Sequence, residues 1–219
     1  MVHKNVLFIA AVIGSFMLFP QAALASDLPD IRGHWGEGYI TALMEKGAID
    51  GMSDGKFYPD EKITLPQFIK IIISLNYGHP ETLDGEHWAS GYMRKAVEKD
   101  IIYPEELEFY DELTRYSAVR ILNKTLTQVY NEPAVEFNTI EDEVIYLELF
   151  EDIQTNCYVC GYEPPEGLTQ TYAKGIISGR PGQSGPIFDG DANLSRAEAC
   201  VLIMRMIDPK LRTPPEGMN

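Results

Sequence analysis

Cys157-Tyr158-Val159-Cys160 has the spacing of a thiol redox couple or of half a zinc site. A redox pair belongs in a βαβ surround, and a structural zinc needs four ligands. The second half of this 219-residue chain adds only Cys200 and no His, so a small surface disulfide or two free thiols is the simpler expectation. Asp50-Gly51-Met52-Ser53-Asp54-Gly55 with Glu61 meets positions 1, 5, 6 and 12 of an EF-hand loop, but Met52 offers no oxygen at position 3. Asp189-Gly190-Asp191-Ala192-Asn193 departs further, with Leu194 at the glycine and Cys200 at the bidentate acid. His34 and His87 have neither a metal-spaced partner nor a nucleophile, and structural roles are expected for both.

Arg115 and Arg196 carry the sharper signal. Each directly follows a hydroxyl residue, Thr114 or Ser195, that opens an apolar helical run. A cation there faces roughly half a positive charge from the helix dipole, a cost of about 0.3–1 kcal/mol. Stability alone would favour an acid. A planar guanidinium beside free backbone N–H groups would instead make a receptor for a carboxylate; the plainer alternative is an arginine that points to water or pairs with an aspartate.

The elements that would position these residues recur. One stretch runs from Leu28 through Trp35, Gly47, Gly51 and Pro59 to Leu75, and a second from Leu83 through Trp88 to Leu126. A third begins at Phe150-Glu151-Asp152-Ile153 and resumes from Tyr172, with Lys174-Gly175-Ile176-Ile177 matching Lys46-Gly47-Ala48-Ile49 and no Trp. Such self-similarity marks a repeat architecture. Each copy is expected to form helix, turn-rich loop, helix. Tyr39, Ile40, Leu43 and Met44 share one helical face, and Gly47 supplies the positive φ of a helix end. Thr64 with Gln67 and Ser195 with Glu198 have the capping-box spacing of a second helix start.

Composition limits the partners. Lys4 followed by the apolar run Val6 to Phe19 and by Ala23-Leu24-Ala25 has the form of an export signal, with cleavage expected after Ala25. The run is too short for the roughly 20 residues of a membrane-spanning helix, and no later stretch qualifies. Removing residues 1–25 takes away one lysine and no acid, leaving 17 basic against 33 acidic residues, a formal −16. That balance argues against nucleic acid and against anionic lipid surfaces. Three cysteines are too few for a disulfide-built scaffold, so hydrophobic packing must hold the fold.

These residues resemble the S-layer homology family: an F-x-D start, a Trp before a helix, a Gly-Ile-Ile-x-Gly turn, a D-G-x-F-x-P loop and T-R-A-E opening a second helix. The resemblance implies an all-α fold in which three helix-loop-helix repeats form a three-pronged pseudo-trimer around a central three-helix bundle. It further implies a monomeric binding protein of the cell wall and cell surface, not an enzyme and needing no cofactor. Its partner would be secondary cell-wall polysaccharide, commonly one ending in a pyruvate ketal, held in grooves between prongs; another envelope protein is a further candidate partner. On this reading residues 1–25 are a signal peptide, 26–78 and 79–130 the first two repeats, 131–149 an acidic connector, 150–209 the third repeat with its insertion, and 210–219 a disordered tail. Candidate polysaccharide-binding residues are Arg115, Arg196, Asp30, Trp35, Trp88, Gly51, Asp152, Gly179 and Glu198, with no metal ligands. Trp35 and Trp88 could equally stack on a sugar or pack in the core.

Departures from the pattern differ by copy. The first has Leu65 in place of the Arg, the second has Tyr103-Pro104-Glu105-Glu106 in place of the glycine turn and Ser117 at the acid of the box, and the third lacks the Trp. It also runs longer: Asp152 to Gly175 is 23 residues against 17 from Asp30 to Gly47. The rival readings are a calcium-dependent adhesion or dockerin-like module, and a redox or zinc protein using Cys157 and Cys160.

Overall fold

The computed structural model describes residues 28–107, 110–137, 148–153 and 166–215. The export-signal residues, most of the acidic connector and the Cys157–Cys160 pair lie outside the described residues. Among those described, six α-helices carry the fold: α1 (Glu37–Glu45), α2 (Leu65–Tyr77), α3 (Ser90–Glu98), α4 (Arg115–Gln128), α5 (Leu168–Ala173) and α6 (Arg196–Ile207). A two-residue antiparallel pair, β1 (Arg180–Pro181) with β2 (Pro186–Ile187), is the sheet. The expected all-helical class holds. No helix among the described residues is long and apolar enough to cross a membrane.

Local chemistry explains the helix ends. Ser195 N–H donates to Glu198 Oε2 at 2.8 Å and Glu198 N–H returns to Ser195 Oγ at 3.1 Å, so two otherwise orphaned donors are satisfied where α6 begins. Thr64 N–H donates to Gln67 Oε1 at 3.1 Å before α2, and Ser117 N–H to Thr114 Oγ1 at 3.2 Å before α4. The three first helices end alike, in a left-handed residue. Gly47 has φ +68° and Gly175 φ +70°, and Asp100 takes the same conformation at +53° although it carries a side chain.

Packing between helices crosses the copy boundaries. α2 of the first copy packs on α3 of the second, α4 of the second on α5 of the third, and α6 of the third returns to α1 of the first. The loops close the same circuit. Ile63 N–H donates to Leu194 O, Leu194 N–H to Leu113 O and Leu113 N–H to Ile63 O, at 3.0, 3.0 and 2.8 Å. Three equivalent positions thus form a ring of backbone hydrogen bonds, each flanked by an isolated bridge. One continuous core joins all three copies, with Phe57, Phe68, Phe150 and Phe188 fully buried.

The chain beyond the third copy corrects the expectation of a disordered tail at its near end. Pro209–Leu211 form a 3₁₀ turn, and Arg212 makes a two-pronged ion pair with Glu132 at 2.7 and 2.8 Å. Thr213 N–H donates to Gly175 O at 2.9 Å, which lays the backbone against the helix end. A guanidinium that meets a carboxylate with two parallel bonds is ordered more strongly than its place near a terminus suggests.

Candidate functional site

Asp30 and Asp152 are loop clamps. Asp30 accepts from the N–H groups of Phe57 and Tyr58, at 3.0 and 2.7 Å, and Asp152 accepts from those of Phe188 and Asp189, both at 2.7 Å. Tyr58 and Asp189 occupy positive φ, +59° and +57°, and the carboxylate clamp helps hold that conformation. Burial works against the Asp30 carboxylate, but the two N–H donors still bring its pKa below the ordinary value.

The carbonyls of the clamped loops receive the two arginines from another copy. Arg196 Nε donates to Phe57 O at 2.8 Å, and its guanidinium lies 4.5 Å from the centre of the Phe57 ring. Arg115 Nε donates to Phe188 O at 2.7 Å, its Nη2 to Ser178 O at 3.0 Å, and it sits 5.4 Å from the Phe188 ring centre. The residues are only 8% and 4% exposed. Burial pushes the Arg115 pKa down to about 10, with nearby Arg180 adding to the effect, and burial lowers that of Arg196 as well.

This corrects one expectation. The N–H groups that open the helices are not free, since Arg196 and Ala197 donate to Glu61 O and Pro59 O, and Arg115 and Tyr116 donate to Ala192 O and Gly190 O. A helix start docked on carbonyls loses most of its pull on an anion. The arginines are therefore structural staples first. What remains for a ligand is the outer edge of each guanidinium: neither terminal nitrogen of Arg196 has a partner among the described residues, and neither does Nη1 of Arg115.

Each arginine lines a groove assembled from three copies. The first groove joins the turn Ala48–Met52 with Gln67 and Lys70 of the first copy, Trp88 of the second and Arg196 of the third. A second groove joins the turn Ile177–Arg180 with Glu198 and Arg205 of the third copy, Trp35 of the first and Arg115 of the second. Trp35 is 59% exposed and Trp88 47%. Of the two roles open to them, the structure places both rings at a groove wall instead of in the core.

Of the remaining candidates, Gly51 lines the first groove and Gly179 and Glu198 the second. Gly51 and Gly179 are sites of close approach: a Cβ would come within 2.8 Å of the Leu28 side chain at Gly51 and within 2.5 Å of Pro186 Cβ at Gly179. Glu198 serves its capping box and also pairs with Arg180. Burial opposes its charge, yet Ser195 N–H and Arg180 bring its pKa below the ordinary range. His34 and His87 accept from Gly36 N–H and Ala89 N–H through Nδ1, fixing the chain ahead of a helix. Asp50 meets Lys70 at 3.6 Å, and Asp54 accepts from Tyr58 Oη and Lys56 N–H. Among the described residues no three His, Cys, Asp or Glu side chains converge as a metal site would need. Cys200 is fully buried, its thiol pKa pushed up to about 12 by that burial.

Sequence reasoning missed Lys70, Arg180 and Arg205. Arg180 directly follows Gly179, so its place beside the turn was visible in order along the chain, whereas Lys70 and Arg205 reach their grooves only through the packing of α2 and α6.

Comparison with known proteins identifies a family for the first of the three copies. The family model for the S-layer homology domain matches residues 27–69. The chain is similar to the S-layer protein EA1 of Bacillus anthracis, 39% identical over 89 residues, 36% of this chain and 10% of the relative. It is similar to the S-layer protein of Bacillus licheniformis, 36% identical over 104 residues, 39% of this chain and 12% of that one. It also resembles the amylopullulanase of Thermoanaerobacterium thermosulfurigenes, 24% identical over 191 residues, 82% of this chain and 9% of that enzyme. The chain thus spans about a tenth of the length of each of these relatives. The domain and the S-layer relatives place it at the cell surface.

Proposed function

The chain is an S-layer homology domain protein, and from that premise we propose that it attaches non-covalently to the bacterial cell wall, holding secondary cell-wall polysaccharide in grooves between its copies. The observation that carries this reading is the pairing, in two grooves, of a stapled arginine with a half-exposed tryptophan. A guanidinium whose Nε is fixed to a carbonyl and whose face rests on a phenylalanine loses little freedom when its outer nitrogens meet a carboxylate. The exposed indole beside it offers an apolar face to a sugar ring. An acidic terminal group such as a pyruvate ketal suits both features. The clamps, turns and caps serve recognition by holding the walls apart, and the protein acts as a binding module, not as a catalyst. Three repeats then form one three-pronged unit whose cyclic order creates the grooves.

The test is sedimentation of the purified chain with wall sacculi before and after extraction of the attached polysaccharide. Retention on intact walls with loss from bare peptidoglycan is expected. Equal binding to both would reject the reading.

A further inference from the structure

The groove of the second copy has Leu65 where the other grooves have Arg196 or Arg115, no tryptophan, and a turn without glycine. We propose that this groove is filled by the chain's own Tyr103 and Glu106, so that the protein holds two polysaccharide sites and not three. The inference rests on the reading that the grooves take an anionic sugar.

The cyclic order fixes what the second groove should contain: a turn from the second copy, an arginine from the first and a tryptophan from the third. At those places stand Tyr103-Pro104-Glu105-Glu106, Leu65 and Glu166. Leu65 N–H donates to Asp111 O as Arg196 N–H does to Glu61 O, so the leucine occupies the equivalent site, but its side chain is buried and apolar. Glu166 precedes α5 by the same two residues that separate Trp35 and Trp88 from their helices, and it accepts a 2.8 Å bond from Tyr103 Oη. An aromatic wall has become an acid, which repels an anion.

Two cations lie against the Tyr103 ring at this groove, and neither offers a free outer edge: Arg120 is held through Nη2 by Glu106 while its Nη1 is buried without a partner among the described residues, and Lys124 is held by Asp100. Arg120 pairs with Glu106 and lies 4.8 Å from the Tyr103 ring centre, while Lys124 lies 4.1 Å above the same ring and pairs with Asp100 at 3.0 Å. Glu106 also accepts from Tyr103 N–H at 2.9 Å, and the 3₁₀ turn at Pro104–Glu106 that presents it replaces the low glycine floor of the other turns. A carboxylate tethered within three residues of the site competes at an effective concentration of about millimolar or above. A sugar carboxylate arriving from solution would have to displace it together with the ring. One departure from each copy, Leu65, the Tyr103–Glu106 turn and Glu166 in place of a tryptophan, thus meets the others in a single groove.

The chain's two tryptophans report on the proposal, because one stands in each open groove. The full chain is titrated by calorimetry and by tryptophan fluorescence with an oligosaccharide cut from wall polysaccharide, short enough to fill one groove. Two molecules should bind, with both indoles responding. Trp88→Ala should leave one site reported by Trp35, and Trp35→Ala one site reported by Trp88; both rings are exposed, so neither change should disturb folding. The double variant should lose binding at least 30-fold at both sites. A parent stoichiometry of three, or a saturable site that survives in the double variant and disappears with Arg120→Gln, overturns the proposal while leaving wall binding intact. A parent that binds no oligosaccharide and no walls rejects the wall-binding reading and this one with it.

Discussion

Replacing Arg196 with Ala should destabilise the protein, opposite to what its place at a helix start suggests. The change removes a charge-assisted hydrogen bond from Nε to the buried Phe57 carbonyl, worth about 1.5–3 kcal/mol, and a cation–π contact worth about 0.5–1 kcal/mol. Relief of the helix dipole, weakened because its first N–H groups are docked on carbonyls, returns at most about 0.3–1 kcal/mol. The net is a loss of roughly 1–4 kcal/mol, centred near 2.5. For a chain of this size that corresponds to a fall in Tm of about 5–10 °C at the centre of the range. Arg196→Lys should recover only part, because an ammonium cannot both hold the carbonyl and lie flat on the ring. Thermal melts and urea titrations of the parent and the two variants measure the effect. An unchanged or raised Tm for Arg196→Ala would refute the staple and restore the view of an arginine held only for its ligand. Leu65, at the same place in the first copy, gives no neutral control: it is buried, and Leu65→Ala should itself cost about 2–5 kcal/mol.

Acid should loosen the fold below about pH 4.5. Glu132 has its pKa lowered from 4.5, first by Arg212 and then, against the opposing effect of burial, by Lys174, so its stabilising contribution is complete above 4.5 and lost as pH falls through the depressed value. Glu132→Gln should lower stability near neutrality and flatten this acid limb in melts recorded from pH 7 downward; an unaltered limb would show that the Arg212 ion pair contributes nothing. Replacing Cys157 and Cys160 with Ser should leave wall binding and helical content unchanged. In that variant Cys200 should resist thiol reagents until the protein unfolds, as its burial and raised pKa require. Rapid native labelling would contradict the packed α6 core.

What the sequence disclosed was mostly local. The capping pairs Ser195 with Glu198 and Thr64 with Gln67 form as their spacing demands, because a cap involves residues three apart and little else. The glycine at the end of α1 was legible for the same reason, whereas Asp100 in the equivalent left-handed position was not, since tertiary packing overrode a residue preference of about 1 kcal/mol. The arginines show the limit. Their identity as candidates came from motif order, but the sign of their contribution to stability did not, because the dipole argument describes a helix end in water. Here the N–H groups are docked on carbonyls from another copy, more than 50 residues away along the chain. Glu166 went unnoticed because its role exists only relative to Tyr103, across 63 residues of sequence.

The cyclic order also changes what a defective repeat means. Judged copy by copy, each repeat is damaged: the first lacks its arginine, the second its glycine turn, the third its tryptophan. A protein whose sites lay within repeats would then have no intact site. On the proposed arrangement, in which each groove takes its turn, aromatic wall and arginine from three different copies as the two grooves at Arg196 and Arg115 do, the same three changes fall on one groove and spare the other two. Every copy remains necessary on this account, since each still supplies two parts to the working grooves. Restoring Arg at position 65 alone should therefore recover no binding, because Tyr103, Glu106 and Glu166 would still occupy the space and oppose the charge. A single substitution at position 65 that generates a third oligosaccharide site in calorimetry would show that the groove was open and lacked only its cation.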